Sequence, residues 1–218
     1  MKKNSSIRLS QVSIFTSLII LTPGLLQGQG TLVDSNLGTA SGSDQVNYTQ
    51  WIAQSFETGN NPQGYTLNSV EVQMAAATGS PSGFTLAIFS AADQTSQSVP
   101  ALLIGNLTGS FDPTTAGVYS YDASGVNLAP STEYFLVESA TTTSSQGSFG
   151  WDFVVGGGPT GWQNISPAFS SDQGNDWSPS SRFAFQMAIY ATPVPEPSPW
   201  ILLAWGGGIL LWVRSRRA

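Results

Sequence analysis

The 218-residue chain is charged at only 9% of its positions and contains neither cysteine nor histidine. Disulfides, thiolate nucleophiles, histidine-based triads and the usual zinc, copper or haem ligand sets are therefore excluded. Lys2, Lys3 and Arg8 lie near one end and Arg214, Arg216 and Arg217 at the other. Arg182 alone then faces the twelve acids between Asp34 and Asp176, leaving the middle at about −11. A field of that sign repels phosphate backbones, which excludes nucleic acid as a partner.

Residues 1–30 have the order of a secretory signal peptide. Met1–Arg8 is basic and Val12–Leu26 is apolar, with a break at Thr22-Pro23-Gly24. Gly28 and Gly30 then place small side chains where a signal peptidase reads them, so a helical signal is expected to be cut near Gly30 after Sec-type export.

Residues 31–192 show no long helical period. Short alternating, β-branched or aromatic runs are separated instead by Gly, Pro, Asn and Ser. The spacing predicts strands over Thr31–Asn36, Trp51–Glu57, Tyr65–Met74, Phe84–Phe89 and Leu102–Ser110. Four more are predicted over Val118–Leu128, Glu133–Ser139, Phe149–Val155 and Arg182–Ala191. Val70, Val72 and Met74 alternate with Glu71 and Gln73, and Phe183, Phe185, Met187 and Ile189 alternate with smaller or polar residues. Such a set points to an all-β domain, an antiparallel β-sandwich of jelly-roll-like form. Residues 156–181 are read as the least structured stretch, a long loop of the functional or Ω-like kind.

The chemistry available to this domain is narrow. Glu133 and Glu138 are an odd number of residues apart, so on a regular strand they face opposite sides and cannot flank a glycosidic bond. Asp172, Gln173, Asn175 and Asp176 could offer oxygen ligands to calcium, but their spacing is not that of an EF-hand, and an Asn/Asp/Gly turn bonding to its own backbone is the favoured reading. No nucleophile elbow accompanies the many serines. Asn47-Tyr48-Thr49, Asn106-Leu107-Thr108 and Asn164-Ile165-Ser166 match the glycosylation triplet, which arises readily in so polar a chain. Trp151, Trp162, Trp177 and Tyr48 are the aromatics that could stack on sugar rings. Trp151, between Phe149 and Phe153 on one face, reads as core, which leaves Trp162 and Trp177 as the candidate glycan-binding pair. No cofactor and no catalytic residue is expected.

Beyond residue 192 the chain runs Val194-Pro195-Glu196-Pro197-Ser198-Pro199, then fourteen uncharged residues from Trp200 to Val213, then Arg214-Ser215-Arg216-Arg217. The prolines hold the backbone extended and clear of a sheet interior. The basic cluster would stay on the cytoplasmic side with the body outside, the topology that the signal peptide also gives. Fourteen helical residues span about 21 Å, short of a hydrocarbon core of about 30 Å. Gly206-Gly207-Gly208 weakens this short transmembrane helix further. The segment suits an address that is held briefly and removed.

A proline-glutamate-proline motif, an apolar helix and an arginine cluster, in that order at the C-terminus, closely resemble the PEP-CTERM sorting signal of Gram-negative bacteria. The resemblance implies recognition by an exosortase-like membrane enzyme and an association with exopolysaccharide. Ala53-Gln54-Ser55-Phe56-Glu57-Thr58-Gly59 followed by Gly64-Tyr65-Thr66-Leu67-Asn68-Ser69-Val70 resembles the opening of choice-of-anchor R domains, and Trp162, Trp177 and the Phe183–Ile189 strand fit the same pattern. That second resemblance implies a surface-displayed module and carries no activity. The expectation is a non-catalytic protein of the cell envelope or extracellular matrix, structural or adhesive. The alternative is a carbohydrate-binding module serving exopolysaccharide.

Overall fold

The computed structural model describes residues 30–94, 97–109, 112–156 and 161–196. The predicted signal helix, the apolar helix over Trp200–Val213 and the cluster Arg214, Arg216 and Arg217 lie outside the described residues. Among the described residues thirteen strands follow in chain order: β1 (Thr31–Ser35), β2 (Gly42–Val46), β3 (Trp51–Glu57), β4 (Tyr65–Gly79), β5 (Thr85–Gln94), β6 (Gln97–Asn106) and β7 (Gly117–Leu128). The chain continues through β8 (Glu133–Ser139), β9 (Gly147–Val154), β10 (Gln163–Ser170), β11 (Ser178–Pro179), β12 (Ala184–Phe185) and β13 (Met187–Pro193).

All strand pairs are antiparallel and form two sheets. The first has the order β1-β13-β4-β9-β12, with β2 also on β9 and β7 also on β4; the second runs β11-β10-β3-β8-β5-β6. The main core lies between them, with Ile52, Phe56, Leu86, Ile88 and Leu136 from the second sheet meeting Val72, Met74, Phe149, Trp151 and Ile189 from the first. Trp151 is fully buried, stacks on Phe185 at 4.8 Å, and donates its indole N–H to the Gln186 carbonyl at 3.0 Å.

The inward set on β4 changes parity along the strand. Tyr65 and Leu67 are followed into the core by Val70, Val72 and Met74. Strict alternation would turn one of these groups to solvent. Against β13 the register shifts between Tyr190 and Ala191, which pair with Ser69 and Leu67, and the extra β4 residue at this bulge, Asn68, restores the inward direction.

A second, smaller core lies on the outer face of the second sheet. Ala53, Phe135, Val137 and Ala168 are covered there by Val99 of β6 and by Trp177. β3 and β8 are therefore buried on both faces, which explains why Tyr134–Val137 reads as a continuous apolar run rather than an alternation.

Trp51–Glu57 and Glu133–Ser139 coincide with their predicted ranges, whereas the stretch read as a long loop contains β10 and β11. Pro167 interrupts the sequence signal of β10. The strand accommodates it where its register with β3 shifts, between Asn164 and Pro167, and the Ser166 amide donates to the Ser55 hydroxyl at 2.9 Å instead. β2 is Gly-Ser-Asp-Gln-Val and carries too few apolar residues to be read as a strand; its five residues pair in register with Val46↔Phe149 through Gly42↔Phe153 on β9. The predicted closing strand is split into β12 and β13 at Gln186, where Gln186 donates its amide to Asp152 and accepts from Gln73.

Candidate functional site at the tail exit

The final strand carries the chain to the edge of the domain, where one turn holds it. Asn61-Pro62-Gln63-Gly64 closes with the Gly64 amide donating to the Asn61 carbonyl at 2.8 Å. Proline at the second position presets the turn. Gly64 has φ 76°, and a Cβ there would lie 2.3 Å from the Leu128 carbonyl oxygen, so both its conformation and its surroundings require glycine.

This turn grips Val194. The Val194 amide donates to the Gly64 carbonyl at 3.0 Å, and the Asn61 side-chain amide donates to the Val194 carbonyl at 3.1 Å. The same Asn61 nitrogen donates to the Gly64 carbonyl at 2.5 Å, while the Asn61 backbone amide donates to the Tyr65 hydroxyl at 3.1 Å. Val194 is half-buried and the next two residues, Pro195 and Glu196, are exposed. Pro197, the remaining residue of the predicted sorting motif, lies outside the described residues. Val194, the first residue of the predicted sorting motif Val194-Pro195-Glu196-Pro197, thus carries the last hydrogen bond described between domain and tail.

Beside the exit is a shallow depression of about 280 Å³ lined by Glu57, Thr58, Gly59, Asn60, Ser131, Gly161 and Trp162. Tyr65 connects it to the turn, since its ring meets the Trp162 indole edge-on at 4.8 Å. Trp162 is also stacked on Phe56, with ring centroids 6.1 Å apart and 11° between planes. With 9% of its surface exposed, the indole offers an edge to the depression and no free face. Trp177, 8% exposed, belongs to the second core. The two indoles are thus in different cores and form no shared stacking platform. Tyr48 alone of the four aromatics considered for sugar stacking is exposed.

The acidic loop before β11 makes its own hydrogen bonds. Asp172 Oδ1 accepts from the Ser170 hydroxyl at 2.8 Å and from the Asp176 amide at 2.9 Å, and the Asn175 side chain donates to the Asp172 carbonyl at 2.6 Å. The Asp176 amide first, then the Ser170 hydroxyl, hold the Asp172 carboxyl below its usual range. Among the described residues no three acids come together as a metal-binding group. Glu133 and Glu138 lie on opposite faces of β8, as their odd spacing requires, and Glu138 enters the main core.

Sequence reasoning missed two features. Asn36 fastens the β12–β13 break, donating to the Phe185 carbonyl at 2.9 Å and accepting from the Met187 amide at 2.7 Å. Glu138 and Tyr121 place buried polar groups between the sheets, and among the described residues neither Glu138 carboxyl oxygen nor the Tyr121 hydroxyl has a hydrogen-bond partner. Neither residue carries a local sequence signal, because the burial comes from strands distant in the chain. No known family model matches the chain, and no curated protein matches it.

Proposed function

We propose that this is an exported, non-catalytic protein of the cell envelope or extracellular matrix, with a structural or adhesive body delivered by a PEP-CTERM-type tail. The body is a jelly-roll-like sandwich of the choice-of-anchor kind. Its partners are the Sec machinery and signal peptidase at the N-terminus and an exosortase-like membrane enzyme at the C-terminus, and its surroundings are exopolysaccharide. It takes no nucleic acid and no cofactor.

The observation carrying this reading is the junction at Val194. Among the described residues the last hydrogen bonds between domain and tail are at Val194, the first residue of the sorting motif, and Pro195 and Glu196 are exposed directly beyond it. An enzyme that reads the motif at the membrane surface needs this segment extended and accessible, and the prolines enforce the extension. The carbohydrate-binding alternative is weakened by the burial of Trp162 and Trp177, since sugar stacking requires an open ring face.

The test is the fate of a tail-motif variant in the native bacterium. Replacing Pro195, Glu196 and Pro197 with alanine should shift the protein from the surface or medium into the inner-membrane fraction. Unchanged surface delivery of that variant would refute sorting by the motif.

A further inference from the structure

We propose that the free edge of β6 is a self-association surface on which a second copy of this chain pairs. Among the described residues β6 is the last strand in the order of the second sheet, with β5 as its ladder partner, and two residues past its end Thr108 bridges Asp122 of β7. Four consecutive residues in its second half, Ala101 to Ile104, are exposed, with Leu102 74%, Leu103 53% and Ile104 44% accessible. On an ordinary edge strand one face would be covered, so alternate residues would be buried. Here both faces stand clear of the body. The first half of the strand behaves differently: Val99 and Pro100 are buried, with Val99 in the second core.

Charge selects the occupant. The body carries twelve acids against Arg182, so two copies repel over most of their surfaces. From Val72 to Phe111 the sequence holds one ionisable side chain, Asp93. The hairpin of β5 and β6 is therefore the seam along which two acidic bodies can approach with least repulsion. An exposed apolar edge strand also presents unpaired backbone donors and acceptors, and what it lacks is another strand edge of the same polarity. A second β6, antiparallel across a two-fold axis near Leu103, supplies both the edge and the apolar side chains. The contact is small and weak in dilute solution, and tethering copies to one surface raises their effective concentration. The pairing itself stands on the edge strand and the charge distribution, and the tethering step alone rests on the sorting reading.

The experiment uses the full chain in mild detergent, tail included. Sedimentation should show a concentration-dependent dimer, and combining Leu102→Lys with Ile104→Lys should weaken it about tenfold or more, with the near-ultraviolet circular dichroism of the tryptophans unchanged. The chain has no cysteine, so Leu103→Cys gives an unambiguous cross-linking probe, and Val155→Cys is an exposed control just past β9 of the other sheet. A short bis-maleimide should join Leu103→Cys copies and leave Val155→Cys copies single. A wild-type chain that stays monomeric, a lysine variant that dimerises as before, or equal cross-linking at both sites overturns the proposal. Monomers that bind lipid vesicles through Leu102 and Ile104 also overturn it, and assign the edge to a membrane surface instead.

Discussion

Glu138 projects from β8 into the main core, with Ile52 and Leu86 as its cross-strand neighbours and neither carboxyl oxygen hydrogen-bonded. Burial pushes its pKa well above the usual carboxylate value. The Asp34 carboxyl is raised by burial to about 7, against the opposing effect of a backbone hydrogen bond at Ser35. Burial first, then the charges of Glu138, Asp112 and Tyr119, pushes the Tyr121 hydroxyl up as well. The folded chain thus binds protons at Asp34 and Glu138 that the unfolded chain releases, so stability falls as pH rises. For Asp34 the loss begins near the usual value of 3.8 and is complete above about 7. Urea midpoints should accordingly be higher at pH 5 than at pH 8, and Asp34→Asn should flatten the curve across that interval. Stability that climbs with pH from 4 to 8 would reverse the sign and refute the assignment. Glu138→Leu, which removes a buried carboxyl with no hydrogen-bond partner among the described residues, is expected to stabilise the fold at pH 8, measured by the same titrations.

At the scale of elements, the strands legible in the sequence were those with a local signature. β3, β8 and the alternating half of β4 combine β-branched and aromatic runs with polar punctuation, and they fall where the pattern places them. β10 was hidden because Pro167 breaks the pattern, and its pairing depends on a bulge opposite β3 and on the Ser55 hydroxyl, more than a hundred residues away. The parity change on β4 was equally invisible, since the bulge opposite β13 is a property of the pair and not of one strand. The tail exit was not read from the sequence: Asn61-Pro62-Gln63-Gly64 has the residue types of a turn, but nothing local says that Asn61 reaches Val194. Asn61→Ala should speed hydrogen exchange at the Val194 amide while lowering global stability by only about 1 kcal/mol. Gly64→Val meets the Leu128 carbonyl and a left-handed backbone together, and should cost about 2–3 kcal/mol in chemical denaturation. Equal stability of Gly64→Val and wild type would contradict the geometry of this turn.

Across the whole molecule, two sheets and two cores account for a fold held without disulfides. Trp151→Ala empties the centre of the main core and should cost about 3–5 kcal/mol. Trp177→Ala opens the smaller core and should lower the denaturation midpoint too, which a surface-exposed stacking residue would not do. Which aromatics faced inward was readable for Trp151, from its same-face neighbours Phe149 and Phe153; it was not readable for Trp162 and Trp177, whose partners come from β3, β4 and β8. The body so built ends at Val194, and the exposed motif beyond it gives the domain its proposed route to the cell surface. Intact mass of the protein recovered from that surface tests this most directly. The account predicts a mature chain that starts near Thr31 and lacks the segment beyond Pro197. Mature molecules that still carry Arg217 would contradict it.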